Sequence, residues 1–184
     1  MLKVNGNMKV EDIFQGLKEV ANPEDAIHMK AYMKDQFEFL GVKTPVRRQV
    51  SKIFFKKNHK STIDWEFVNQ AWENPYREMQ YVVLDYLQLK QKALTPSDLP
   101  KIKKLAQTKP WWDTIDFLCR SVGFLCLHYP ETKKFVLEWS RDEDFWLRRL
   151  AIEHQLLQKE ETDVQLLEQI LINNLNQTEF FINK

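Results

Sequence analysis

Turn signals divide this chain into short segments, and apolar residues within the segments recur at the three- and four-residue spacing of helices. Only four glycines occur among the 184 residues, and alternation of β-branched residues is almost absent, so a sheet has little support. The turn signals lie at 22–23, 41–45, 58–64, 74–75, 95–96, 109–110, 129–130 and 142–144. We therefore predict an all-α protein of about ten helices.

The predicted helices pair into units of roughly 30 to 45 residues, a length typical of helical solenoids. The segments that begin at Pro75 and at Asp144 both show a short turn, an aromatic residue, an arginine and then an apolar run. This pattern is typical of the second helix of a HEAT-type repeat. It favours a right-handed solenoid of antiparallel helix pairs, HEAT-like or armadillo-type, with a concave ligand face; a compact helical bundle is the alternative.

Length and composition fit a single soluble domain over residues 1–184, because 43% hydrophobic and 29% charged residues exclude a disordered or membrane class. No apolar run approaches a bilayer span, and residues 1–10 lack the apolar centre of a signal peptide, so we expect a cytoplasmic protein. Cys119 and Cys126 lie about two helical turns apart, too far to bridge, and are predicted to be free core thiols.

A net charge of +1 gives no global argument for binding nucleic acid. Lysine and arginine nevertheless cluster at 43–60 and 90–109, and acids collect at 66–78 and 160–179. One interpretation is a basic face and an acidic back. The other is a mixed, solvated surface.

A Trp-Trp-Asp-Thr-Ile-Asp segment at 111–116 carries the strongest signal for chemistry. If Pro110 is the first helical residue, Trp112 and Asp116 fall four residues apart on one helix face. A second stripe has the spacing of a core-facing surface: Trp111, Ile115, Leu118, Val122 and Leu125. The first face can then present an indole and a carboxylate outside the core.

The ordinary alternative for this segment is a core tryptophan with an acid that complements the helix dipole. We interpret Asp113 in that way.

Arg149 is predicted to emerge from apolar surroundings, because Phe145, Trp146 and Leu156 border its arc of the helix. A charge in that position needs a partner. The simplest partner is Glu153, four residues further along the same helix.

The turn at 41–45 opens a predicted helix with Thr44 as its N-cap. Backbone N–H groups there, together with Arg47 and Arg48, can hold a phosphate. An ordinary capped helix with a solvated basic turn is the alternative.

Six motifs occur in order along the chain. They are Tyr32-Met33-Lys34, Phe37-x-Phe39-Leu40-Gly41-Val42-x-Thr44-Pro45-x-Arg47-Arg48, Arg77-Glu78-x-Gln80 with Asp85 downstream, Trp111-Trp112-Asp113-x-Ile115-Asp116, Trp146-Leu147-x-Arg149 and Phe180-Phe181-Ile182-x-Lys184. Their order and spacing resemble the AlkD-like DNA alkylation repair glycosylases, which are built from HEAT-like repeats. The resemblance covers nearly the entire chain.

This resemblance implies a function in base excision repair of alkylation damage. The family excises N3- and N7-alkylated purines from double-stranded DNA by hydrolysis of the N-glycosidic bond, without metal or cofactor. We expect a monomer that is nucleoid-associated when bound to DNA. The lesion would be gripped on a concave surface rather than enclosed in a pocket.

The resemblance also assigns roles to individual residues. Trp112 looks like the aromatic residue that packs on the deoxyribose, and Asp116 like the carboxylate beside C1′. Arg149 looks like the arginine that anchors the backbone next to the lesion, and Tyr32 like a tyrosine of the DNA-binding surface. Three residues match the phosphate-contacting turn: Thr44, Arg47 and Arg48.

A rival hypothesis is a non-catalytic helical-repeat module that binds distorted or branched DNA, or a protein partner. The repair assignment fails if Asp116 is locked in an internal ion pair or points toward the convex side. One departure from the family also matters, because its second tryptophan lies beyond the Phe-Phe-Ile-x-Lys motif and this sequence stops at Lys184. The protein is then either naturally short or a fragment of a longer chain, and we expect a fragment that lacks the family's C-terminal helices.

Overall fold

A computed structural model describes residues 9–56 and 62–184. The described residues form eleven α-helices and no strand, which confirms the all-α prediction. The helices are α1 (Val10–Lys18), α2 (Pro23–Tyr32), α3 (Thr44–Phe55), α4 (Trp65–Glu73), α5 (Arg77–Leu89), α6 (Leu99–Gln107), α7 (Trp112–His128), α8 (Lys133–Trp139), α9 (Phe145–Glu153), α10 (Val164–Asn173) and α11 (Phe180–Asn183). Residues 58–61 of the turn predicted at 58–64, the lysines at 57–60 and residues 1–8 lie outside the described residues.

The chain forms two compact units, one extending to Lys90 and the other spanning Gln91–Lys184. In the first unit, α1 and α5 each pack against α3 and α4. In the second unit, α6 packs on α7, α8 packs on α9, and α7 packs against α9. Helices α10 and α11 also contact α9. Consecutive helices thus pack as pairs, while the solenoid and the single domain over residues 1–184 stay predictions.

The first unit is organised around the buried carboxylate of Glu78 on α5. It accepts hydrogen bonds from the backbone N–H groups of Leu40, Gly41 and Val42 at 2.9 to 3.1 Å. Gly41 has a φ of +80°, and a Cβ there would collide with the carbonyl of Asn22. Glu78 therefore fixes the loop that precedes α3.

The helix α7 supplies the core of the second unit and has the two faces that the sequence predicts. Four residues of the predicted stripe are fully buried: Ile115, Leu118, Val122 and Leu125. Trp111, the fifth, is only half-buried and precedes the helix. The start of this helix differs from the prediction. Helix α7 begins at Trp112, with Trp111 as its N-cap, so Pro110 precedes the helix instead of occupying its first position. Trp111 has an extended backbone, so the first helical turn starts after Pro110 and Trp111.

A glycine in α7 allows the end of α9 to approach closely. A Cβ on Gly123 would collide with the carbonyl oxygen of His154, the C-cap of α9. The carbonyl oxygen of Gly123 also accepts a hydrogen bond from Gln158 at 2.9 Å.

Both cysteines are buried and free, as predicted. Burial raises the pKa of Cys119 to about 12 and that of Cys126 to about 11. None of the described helices combines the length and the apolar character that a membrane crossing requires.

Replacing Glu78 by glutamine should lower the free energy of unfolding by about 2 to 4 kcal/mol, because an amide removes the charge that three buried N–H groups bind. Urea unfolding followed by circular dichroism measures the change. The exposed Glu19, changed to glutamine, is the control and should shift stability by no more than about 0.5 kcal/mol. Equal stability of the two variants would contradict a structural role for Glu78.

Candidate functional site

Trp112 and Asp116 lie on the partly exposed face of α7, opposite its buried stripe. Asp116 keeps 33% of its side chain exposed to solvent. An indole and a carboxylate are therefore accessible one helical turn apart, as the sequence predicts.

Arg149 on α9 binds this carboxylate directly. Its Nε and Nη2 atoms donate to Oδ1 of Asp116 at 2.9 and 2.8 Å, and its Nη1 atom donates to the carbonyl oxygen of Phe181 at 2.8 Å. Only 10% of the arginine side chain is exposed. One guanidinium group thus joins α7, α9 and α11.

Glu153 completes a cluster of three charged side chains. Its Oε1 atom lies 2.6 Å from Nη2 of Arg149, so the intrahelical pair that the sequence offered as an alternative is present, together with the contact to Asp116. Burial, followed by a hydrogen bond to Asp116 and the charge of Asp116, raises the pKa of Glu153 from 4.5 to about 8. The positive charge of Arg149 acts in the opposite direction.

The contact between Arg149 and Asp116 is an ion pair, but it does not remove the acid from solvent. Both hydrogen bonds go to Oδ1, and a third of the Asp116 side chain remains exposed. The carboxylate is oriented by its partner and stays partly exposed to solvent.

Aromatic packing holds α11 beside this cluster. The rings of Trp111 and Trp146 lie 5.8 Å apart, and Phe181 contacts both, at 5.4 and 4.9 Å between ring centroids. Phe145 and Phe180 extend this group of aromatic rings through contacts with Trp146 and Phe181. Because the carbonyl of Phe181 accepts from Arg149, this packing also places an acceptor for the arginine.

The remaining predicted residues lie in the first unit. Tyr32, the last residue of α2, is 68% exposed. Thr44 is exposed, but the N-cap of α3 is Lys43 and no side-chain cap is formed, so the predicted capping role of Thr44 is wrong. The helix begins one residue earlier than predicted, and Thr44 Oγ1 instead lies 3.4 Å from Nη1 of Arg47.

The two neighbouring arginines of α3 differ sharply in environment. Arg47 has 6% of its side chain exposed and pairs with Asp85 at 3.0 Å, with its guanidinium over the ring of Tyr81. Arg48 also contacts Asp85, at 3.0 Å, but 55% of its side chain is exposed. Of the pair, Arg48 is the one available to a phosphate.

Arg48 lines an open groove of about 710 Å³ in the first unit. Lys52 and Lys56 line the same groove and follow Arg48 at four-residue intervals along and just past α3. This row of cations lies within the basic segment predicted at 43–60.

Comparison with known proteins identifies the family. The family model described as DNA alkylation repair enzyme matches residues 13–184. The chain belongs to this family. No curated protein matches the sequence.

A solved structure supports the same family. This chain is similar to the structure of a predicted DNA alkylation repair enzyme from Enterococcus faecalis, with 30% sequence identity and a TM-score of 0.80 over 88% of this chain and 78% of that chain. Membership of the DNA alkylation repair enzyme family confirms the resemblance drawn from the motifs, indicates a role in alkylation repair and implies DNA as the substrate.

Sequence reasoning named Glu153 only as a partner for Arg149 and gave it no place in the site. The spacing of four residues was the available signal. The sequence does not reveal that Glu153 lies near Asp116, which is 37 positions earlier in the chain. Only the packing of α7 against α9 brings the two carboxyl groups to one guanidinium.

Changing Glu153 to glutamine should flatten the pH dependence of stability. The folded protein keeps a proton on Glu153 that the unfolded chain releases near pH 4.5, so its contribution to the free energy of unfolding falls as pH rises from about 4.5 to about 8. Glutamine does not titrate, and the fall should be smaller. Urea unfolding of both proteins at several pH values measures it; parallel curves across this range would contradict the raised pKa.

Proposed function

We propose that this protein is a DNA glycosylase that excises cationic N3- and N7-alkylated purines from double-stranded DNA. The observation that carries the proposal is the partly exposed Asp116 carboxylate, oriented by Arg149 and one helical turn from Trp112. Membership of the DNA alkylation repair enzyme family supports it.

The chemistry requires little from the protein because the substrate is already activated. An alkyl group on N3 or N7 gives the purine a positive charge, so the base leaves with the electron pair of the glycosidic bond and becomes neutral without an added proton. The sugar that remains has oxocarbenium character at C1′. A carboxylate close to C1′ stabilises this charge as it develops.

In this proposal Asp116 also orients the attacking water. The water oxygen bonds to C1′, and its proton passes to the carboxylate or to solvent. A single essential carboxylate suffices, unlike the pair of acids that most sugar hydrolases use. Trp112 would present the electron-rich face of its indole to the same sugar, where it attracts positive charge.

Arg149 supports the proposal mainly as the group that orients Asp116. A guanidinium carries five N–H groups, and the contacts to Asp116, Glu153 and the carbonyl of Phe181 use four of them. The fifth, on Nη1, is not used by these contacts, and contact between it and a backbone phosphate stays a prediction, because only 10% of the arginine side chain is exposed. The predicted anchoring of DNA by Arg149 is therefore compatible with its contacts.

A second candidate function is a non-catalytic module that binds distorted or branched DNA. The direct ion pair between Arg149 and Asp116 favours it, because the arginine offsets part of the negative charge that a sugar cation requires. The two functions differ in one measurable respect. The module binds duplex DNA and releases no base.

Replacing Asp116 by asparagine should lower base release by about a hundredfold or more, because the variant loses the negative charge opposite C1′. The measurement is release of 7-methylguanine or 3-methyladenine from methylated duplex DNA under single-turnover conditions. No release by the unaltered protein would favour the module, and undiminished release by Asp116→Asn would remove the catalytic role of the acid.

The matched control for this experiment is Asp35→Asn. Asp35 is exposed and has a φ of 58°, which asparagine adopts readily, so the same loss of charge occurs without strain. Its rate of base release should equal that of the unaltered protein within about twofold.

Changing Arg48 to glutamine should weaken the binding of duplex DNA severalfold, whatever its sequence, and reduce the salt dependence of binding by about one counterion. Fluorescence anisotropy at several salt concentrations measures both quantities. The exposed Lys134 of α8, changed to glutamine, is the control cation. An unchanged slope for Arg48→Gln would show that Arg48 contacts no phosphate.

A further inference from the structure

Glu153 shares one nitrogen atom with the proposed catalytic acid. Nη2 of Arg149 lies 2.8 Å from Oδ1 of Asp116 and 2.6 Å from Oε1 of Glu153. The side chain of Glu153 is 16% exposed, against 33% for that of Asp116. Two carboxyl groups thus meet at one guanidinium, and Glu153 is the inner one.

The second oxygen of Glu153 has no donor to satisfy it. Oε2 is buried, and no hydrogen-bond donor among the described residues reaches it. A buried carboxylate oxygen without a partner is costly, whereas a protonated carboxyl group is neutral and can donate to the neighbouring Asp116. Burial, together with the same proximity to Asp116, raises the pKa of Glu153 to about 8.

Among the ionisable groups of this cluster, Glu153 is the one whose charge changes with pH. On α7 these groups are Asp116 and Cys119, and burial keeps the Cys119 thiol neutral by raising its pKa to about 12. On α9 it is Arg149, and α11 contributes the carbonyl of Phe181 to that arginine. Cations of neighbouring elements pair elsewhere: Lys101 with Asp98, Lys103 with Asp142 and Lys133 with Asp163.

We propose that Glu153 is a positioning residue whose proton controls how much negative charge the site presents to the sugar. The proposal rests on the glycosylase function and deepens it, because Glu153 acts through Asp116 and Arg149 and need not touch the substrate.

The charge of the cluster follows from this assignment. With Glu153 protonated, Asp116 and Arg149 cancel, and the Glu153 hydroxyl occupies a lone pair of Asp116. With Glu153 ionised, the two carboxylates outweigh the one guanidinium. A developing oxocarbenium ion is stabilised more strongly by the second state, so base release should accelerate as pH rises.

The test is the pH profile of single-turnover base release, with protein in excess over duplex DNA that contains 7-methylguanine. Between about pH 6 and pH 9 the rate for the unaltered protein should rise roughly tenfold, with a midpoint close to 8. Glu153→Gln is neutral at every pH and should give a flat profile, within about twofold, at the level of the acid limb. The exposed Glu138 of α8, changed to glutamine, should reproduce the unaltered profile.

Each outcome decides between the two proposals. No base release by the unaltered protein at any pH overturns the glycosylase function itself. Release with a flat profile, or a rise that persists in Glu153→Gln, overturns the role of Glu153 and leaves the glycosylase function intact. Circular dichroism checks that the Glu153→Gln variant is folded. If the amide prevents folding, Glu153→Leu, which keeps a similar volume, is used instead and should also give a flat pH profile.

Discussion

The contact between the guanidinium of Arg149 and the carboxylate of Asp116 is the interaction on which the candidate site depends. A cation with 10% of its side chain exposed would be costly alone, so it must be surrounded by acceptors. The acceptors come from α7, from its own helix and from the backbone of α11. Removing any of them leaves a buried charge with fewer partners, which couples the geometry of the site to the packing of three helices.

In the first unit, too, buried charged groups are surrounded by hydrogen-bonding partners, but there they hold the scaffold together. Glu78 is fully buried and holds the backbone of the loop before α3, and Arg47 is buried against Asp85. Both residues belong to the sequence motifs on which the resemblance to the family rests. Their contacts show that such motifs combine residues that build the scaffold with residues, such as Arg48, that remain exposed to a ligand.

The sequence predicted local features well because they depend on neighbours along one helix. The buried stripe of α7, the exposed pair formed by Trp112 and Asp116, and the pairing of Arg149 with Glu153 all follow from three- and four-residue spacing. Helix starts were less accurate at Pro110 and Thr44. No side-chain cap forms at either start, and the backbone conformation of a single residue shifts the boundary.

The sequence by itself determined the all-helical class, the family and the residue types available for chemistry, because periodicity and ordered motifs are properties of the chain alone. Only the tertiary structure decided which charges meet. Asp116 and Glu153 belong to different helices, and their shared contact with Arg149 arises from the packing of α7 on α9. Likewise, adjacent arginines 47 and 48 are equivalent in sequence, yet burial makes one structural and leaves the other exposed. Desolvation of a charged side chain depends on the groups that surround it in space, and the spacing of residues along one helix did not specify those groups.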